Sequence, residues 1–265
     1  NVPPEKVKLV NSPKDFINIK ADFVIVSQAS LAVLNKTYDL EKIMKDNKFV
    51  DSSSEDCYIF LKENPFYAES GGQVSDSGYL KNDKCKLEVK DVIKAPNGQH
   101  LLYVKVLEGT VNKGDKILTH VLKDKRLAIM KNHSSVHLLQ KSLQELLGNN
   151  VHQAGSKVDE KILRFDFNYQ GKLSDELIVK LEDMVNEKIK AGYVTKVEYL
   201  PIKEAIKKGA MALFSDKYGD IVRVVTMGDS IELCAGTHID NTKNIVRFAI
   251  ASVENKGTDT YRITG

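Results

Sequence analysis

The chain has little cysteine, little charge of one sign and no long apolar run. Only three cysteines, Cys57, Cys85 and Cys234, occur in 265 residues. They are too few and too scattered for a disulfide framework, which points to a reducing compartment. No stretch approaches the ~18 apolar residues of a membrane-spanning helix, so no membrane partner is expected. The N-terminus carries no signal-peptide pattern, and a cytoplasmic location is expected, with an organelle left open. The chain starts at Asn1 rather than Met, which suggests a piece of a longer polypeptide. Net charge is only +3, and the first 122 residues are neutral, so the excess lies in the rest. That distribution is compatible with nucleic acid meeting the second half, but a pI near 8.5 is weak grounds for it. There is no internal repeat and no low-complexity tract.

What is present is enough apolar residue, 42%, to build packed cores over one large or two ordinary domains. Residues 1–122 read as short strands and turns. Cys57–Leu61, Leu87–Ile93, Leu101–Leu107 and Ile117–Leu122 are β-prone, and Lys81-Asn82-Asp83, Pro96-Asn97-Gly98 and Asn112-Lys113-Gly114 separate them. Strands at this spacing suggest a small barrel. Asp39 to Lys45 reads as a short helix. The pattern changes near Lys123. Leu127, Met130, Leu138, Leu139, Leu143, Leu146 and Leu147 keep helical spacing until Gly148-Asn149-Asn150 stops it. Ser174 can cap a second helix that Gly192 ends, and a short helix follows Pro201. Strands are expected at Ile162–Phe167, Ile221–Val225, Ile231–Cys234 and Val246–Val253. The expected fold class is α+β: a small N-terminal β-barrel domain, residues 1–122, then an α+β zinc-binding domain, residues 123–265, with a largely antiparallel sheet.

Two half-sites stand out. In His133-Ser134-Ser135-Val136-His137 the two imidazoles are four residues apart on a helix and share one face. In Cys234-Ala235-Gly236-Thr237-His238 a thiol and a third imidazole flank a glycine that permits a tight turn. Either pair alone arises easily by chance. Together they use half of the six histidines and one of three cysteines, and His133, His137, Cys234 and His238 form a donor set suited to Zn²⁺. Ser134 stands where a His-Glu-x-x-His peptidase keeps its general base, so the site is not peptidase-like. Four protein ligands fit a closed structural tetrahedron as well as a catalytic site, and spacing does not separate the two.

Further motifs fall around these. Asn64 to Gly78, with Glu69-Ser70-Gly71-Gly72-Gln73 at its centre, resembles the glycine-rich motif of the alanyl-tRNA synthetase editing region. Asn132 to Leu139 and Glu232 to His238 resemble that family's two zinc half-sites. Gln153-Ala154-Gly155-Ser156, Leu163 to Phe167, Gly209 to Phe214 and Arg262 to Gly265 follow in the family's order. The resemblance covers roughly residues 57–265, with residues 1–56 matching only loosely. One departure is Ala235, where the family usually has glycine.

The resemblance implies an editing hydrolase that cleaves the ester of tRNA(Ala) mischarged with serine or glycine and spares the alanyl ester. It implies Zn²⁺ as cofactor, charged tRNA(Ala) as partner, and the remainder of a synthetase chain. A free-standing deacylase of the AlaX type stays open. So do a threonyl-tRNA synthetase relative, which the Phe66-to-Gly78 motif argues against, and a tRNA-binding module with purely structural zinc. Candidates for catalytic roles are Gln153, Glu69 and Thr237. Gln153 can orient water or the terminal adenosine, and Glu69 is the nearest carboxylate, more readily an orienting group than a base. Gly71 and Gly72 can present N–H donors to the ester. Ser70, Gln73 and Thr237 can recognise the serine hydroxyl, and Arg126, Lys131 and Lys217 can meet phosphates, although a solvated surface face is the commoner role of such cations. The Glu69-to-Gln73 segment is expected beside the metal, because distant motifs must meet to form one pocket.

Overall fold

The structure is a computed structural model that describes residues 24–25, 34–95, 98–211, 219–257 and 259–265. The chain divides into two compact units: Asn1–Ser70 with Val74–Arg126, and Gly71–Gln73 with Leu127–Gly265.

The first unit is a barrel. Its strands are β1 (Thr37–Lys45), β2 (Lys48–Val50), β3 (Cys57–Leu61), β4 (Gly78–Lys81), β5 (Cys85–Lys94), β6 (His100–Gly109) and β7 (Lys116–Val121). They pair antiparallel in the order β7-β4-β5-β6-β3-β1-β2, and a further β7–β1 pairing closes six of them on themselves. Closure removes the unpaired edges that an open sheet of this size exposes. Inward side chains alternate along the strands. Leu40, Ile59, Leu80, Leu87, Val89, Leu102, Val104 and Ile117 fill the interior. Cys57 and Cys85 belong to that core as free thiols, and burial pushes the Cys57 thiol up to about 11, so it packs as a small apolar group.

The segment read as a helix at Asp39–Lys45 is strand β1. Leu40 and Ile43 both face the interior although three residues apart, because a register shift lies between Leu40 and Lys42, and Met44 is buried on the outer face with Phe60, Ala95 and Leu101. One inserted residue moves the inward phase, so successive inward positions fall three apart on an extended chain, and burial on both faces completes a pattern like that of a helix.

The second unit is α+β. It begins within α1 (Lys123–Leu147) and continues through β8 (Gln153–Val158), β9 (Leu163–Asn168), α2 (Asp175–Ala191), β10 (Lys196–Pro201), α3 (Ile202–Lys207), β11 (Ile221–Met227), β12 (Ser230–Leu233), β13 (Ser252–Gly257) and β14 (Thr260–Thr264). Two antiparallel sheets form, β8-β9-β14-β13 and β10-β11-β12. Helix α2 starts where the Ser174 side chain accepts from the Leu177 N–H and stops at Gly192 in the left-handed region; Leu181, Val185 and Ile189 are its buried stripe.

The strand expected at Val246–Val253 begins only at Ser252. Its first half finds partners on α2 instead of on a neighbouring strand. The Asn186 amide accepts from Phe248 N at 3.0 Å and donates to Phe248 O at 2.8 Å, and Glu182 accepts from Ile250 N at 2.8 Å. Backbone groups satisfied by side chains have no need of a ladder.

Candidate metal centre

Helix α1 carries His133 and His137 on one face, and the loop that leaves β12 carries Cys234 and His238. Ser134 ties these pieces together: its hydroxyl accepts from Ile239 N at 3.2 Å. The residue that replaces a peptidase glutamate therefore fastens the second half-site to the helix.

The four donor atoms lie within 4.8 Å of one another. His238 Nε2 is 3.1 Å from His137 Nε2, and Cys234 Sγ is 3.4 Å from His133 Nε2 and 3.5 Å from His238 Nε2. A tetrahedral ion bonded at ~2.1 Å to nitrogen and ~2.3 Å to sulfur holds its donors roughly 3.4–3.6 Å apart. The cluster is close to that size, so the four side chains can hold a metal ion. Burial pushes the His133 imidazole down to about 4, lowers His137 and His238 well below the ordinary histidine range, and pushes the Cys234 thiol up to about 12. Three neutral imidazoles with lone pairs facing one centre are ready ligands, and a cation there would draw the proton from the thiol.

The groups behind the ligands set their orientation. Gln73 is fully buried, and its carbonyl oxygen lies 2.7 Å from His133 Nδ1. The same oxygen accepts from Thr237 N at 2.9 Å, and the amide nitrogen donates to Thr237 Oγ1 at 2.9 Å. An acceptor at Nδ1 places the ring proton there and leaves Nε2 bare for a metal. Glu232 Oε2 stands 3.5 Å from His137 Nδ1, longer than a good hydrogen bond, and Ser230 donates to its other oxygen at 3.1 Å. Burial pushes the Glu232 carboxyl up to about 8.

Gly236 is required for space. A Cβ there would lie 2.0 Å from His133 Cε1 and 2.9 Å from the Gln73 carbonyl oxygen. Its φ is not in the left-handed range, so close approach of the His133 ring, rather than turn geometry, excludes a side chain. The neighbouring Ala235 is exposed with an ordinary φ, so alanine is tolerated there without backbone strain.

Of the remaining candidates, Gln73 and Thr237 bond each other and the His133 side of the cluster, which turns both inward and away from the hydroxyl-recognition role read from the sequence. Gly72 lies along β8, where its carbonyl accepts from Val158 N at 2.8 Å, and a Cβ on it would strike the Ser156 carbonyl oxygen. Gly71, at positive φ, is exposed. Gln153 is half-buried on β8 and donates to Ser156 Oγ at 3.0 Å. Lys131 is half-buried on α1. Glu69 and Ser70 belong to the barrel unit: Glu69 is exposed, with its N–H 3.3 Å from Val92 O, and the Ser70 carbonyl accepts from Tyr67 Oη. Lys217 lies outside the described residues. Arg126 is a correction. It is 0% exposed, its guanidinium is bound to both Asp76 oxygens and donates to Pro65 O at 3.1 Å, so it is turned into the barrel unit and not to the surface where a phosphate would be met.

Ser134, Glu232 and Arg223 carry roles that the motif reading did not assign. Arg223 donates from Nη1 to Cys234 O at 2.6 Å. The available signal was a charged residue inside an apolar strand, Ile231-Glu232-Leu233 and Val222-Arg223-Val224, since such residues are rarely buried without a partner.

Comparison with known proteins gives two family matches: "tRNA synthetases class II (A)" over residues 8–125 and "Threonyl and Alanyl tRNA synthetase second additional domain" over residues 222–264. The first extends the likeness well upstream of residue 57. Alanine–tRNA ligase of Bacillus subtilis (strain 168) is 46% identical over 224 residues, 83% of this chain and 26% of that protein. Alanine–tRNA ligase of Bacillus pumilus is 45% identical over 249 residues, 93% of this chain and 28% of that protein. That of Listeria welshimeri is 46% identical over 224 residues, 83% of this chain and 26% of that protein. The chain thus spans about a quarter of the length of these relatives.

Proposed function

Because the chain is a region of the alanyl-tRNA synthetase family, we propose that it is the part that deacylates tRNA(Ala) mischarged with serine or glycine. The observation that carries the reading is the convergence of His133, His137, Cys234 and His238, with Gln73 of the glycine-rich segment bonded to one of them. Zn²⁺ is the ion this nitrogen and sulfur donor set suits, and when bound it would supply an anchor for the amino acid's α-amine or carbonyl. The partners under this reading are charged tRNA(Ala) and the remainder of the synthetase chain.

The chain's own residues have separable tasks. Gln73 and Thr237 hold the His133 ring and the second half-site in register. Gln153 spends one amide proton on Ser156 and keeps its carbonyl to orient a water or a ribose hydroxyl. Serine is distinguished from alanine by one hydroxyl, and a buried polar group that needs that hydroxyl is left unpaired by alanine. No carboxylate stands among the ligands to act as base. An ester is labile enough that water positioning and charge stabilisation carry much of the acceleration.

A second reading rests on the ligand count. Four protein donors favour a closed tetrahedron, and so a tRNA-binding module in which the metal only braces the fold. Deacylation of matched seryl- and alanyl-tRNA(Ala) by the zinc-loaded chain separates the two. Hydrolysis of the seryl ester, sparing of the alanyl ester and a large loss in folded Cys234→Ala support editing. Undiminished hydrolysis by folded, zinc-free Cys234→Ala assigns the metal to structure alone. No turnover by the zinc-loaded chain leaves the binding module.

A further inference from the structure

The three-stranded sheet is packed on one face, and its other face runs from buried Val225, Met227 and Glu232 beside the donor cluster out to an exposed edge on β10. Leu200, Val222, Val224, Ile231 and Leu233 gather with Ala205 and Ala210 on the packed face. Residues directly opposite in an antiparallel ladder share a face. Tyr199 on β10 is opposite Arg223 on β11. Val224 is opposite Leu233, so the next rung sets Arg223 beside Cys234; Cys234 N donates to Arg223 O at 3.2 Å and confirms that rung. Tyr199, Arg223 and Cys234 therefore form one row across neighbouring strands. Tyr199 is 67% exposed, and it is flanked by Ile221 at 60% and Val197 at 40%. An exposed aromatic with apolar neighbours, one strand from a cation and two from a metal-ligating thiol, is not explained by folding.

We propose that this row is the subsite for the terminal adenosine of the charged tRNA, with the adenine stacked on Tyr199 and Arg223 facing the 5′-phosphate. The inference rests on the deacylase reading above. Neighbouring strands lie ~4.8 Å apart, so Tyr199 is roughly 10 Å from the metal ligand along the sheet. That is the reach from an aminoacyl carbonyl, across a ribose, to the base. An aromatic face accepts a base by stacking, and a guanidinium with one donor spent on Cys234 O keeps others for a phosphate.

The probe is 3′-deoxy-3′-(L-serylamino)adenosine, whose amide resists hydrolysis, with and without a 5′-phosphate. Binding to the zinc-loaded chain is followed by the adenine H2 and H8 resonances. Stacking on Tyr199 shifts them upfield. Tyr199→Leu should abolish that shift and weaken binding about tenfold, whereas Tyr199→Phe should restore both. Arg223→Gln should erase the extra affinity of the phosphorylated probe, with the cobalt(II) spectrum of the metal centre serving as a check that the ligands are undisturbed. Binding without an upfield shift, or an equal shift in Tyr199→Leu, overturns the subsite. So does failure of the probe to bind a chain that hydrolyses seryl-tRNA. Failure of both hydrolysis and probe binding overturns the deacylase reading and the subsite with it.

Discussion

In the barrel unit the one deeply buried guanidinium, Arg126, meets its counter-charge, Asp76, inside the same unit, and the Pro65 carbonyl takes a further donor. In the second unit three buried imidazoles and a thiol face one another through Nε2 and Sγ with no counter-charge at their centre. The first arrangement is complete with protein atoms alone. The second is a donor set that could hold a cation. The difference sets the expectation for each unit: the barrel's buried pair depends only on its own two partners, and under the zinc reading part of the second unit's stability is conditional on a ligand.

The sharpest test is metal removal, the largest effect expected. Structural zinc contributes about 10–16 kcal/mol in zinc-finger peptides, well beyond the cost of an ordinary side-chain substitution. Chelation of the zinc-loaded chain should strip hydrogen-exchange protection from amides around 131–140 and 222–240 and leave strands β3, β5 and β6 protected. Equal loss in both units would break the comparison. The mirror experiment is Asp76→Ala. It leaves the Arg126 charge buried without its partner and should cost about 3–5 kcal/mol in urea denaturation, regardless of zinc. The double variant Asp76→Leu with Arg126→Met should recover much of this loss, and if it does not, the pair is not self-contained.

Two smaller effects sharpen the contrast. Gln73→Leu removes the acceptor at His133 Nδ1 and should lower zinc affinity about 10- to 100-fold, read by competition with a chromophoric chelator. Gln73→Glu keeps an acceptor there and should recover much of the affinity; unchanged affinity in Gln73→Leu would leave Gln73 as packing only. The smallest effect belongs to His100 in the barrel. Burial pushes its imidazole down to about 4, below the ordinary 6.5, so the folded barrel binds this proton less well than the unfolded chain. Its contribution is full above pH ~6.5 and is lost as pH falls from there toward 4. His100→Gln should flatten that acid slope by on the order of 1 kcal/mol, and an unchanged slope would assign the acid sensitivity elsewhere.

What was legible in the sequence was local. His133 and His137 sit on a helix whose spacing puts them on one face, and Cys234 and His238 lie within one short loop, so each half-site could be read without knowing the fold. Ser174 and Gly192 marked the ends of α2 because capping acts over a single turn. The misreadings share the opposite cause. Asp39 to Lys45 reads as a helix, and the register shift that lets it run as strand β1 is visible only against its partner β3. Arg126 looked like a surface cation because Asp76 is 50 residues away in sequence, and Gln73 looked like a substrate contact because His133 is 60 residues away and Thr237 is 164.

By itself, then, the sequence determined the ligand types, their pairing into two half-sites, the α+β division and the family resemblance, since each depends on residue identity and spacing over a few turns. Only the tertiary structure decided that the four donors converge, that Gly236 is glycine to admit the His133 ring, that Gln73 holds that ring, and that Arg126 is spent on Asp76. Those facts depend on atoms brought within a few ångströms by chain closure over tens of residues. Hydrogen bonding and steric exclusion act at that range, and no spacing rule along the chain encodes it.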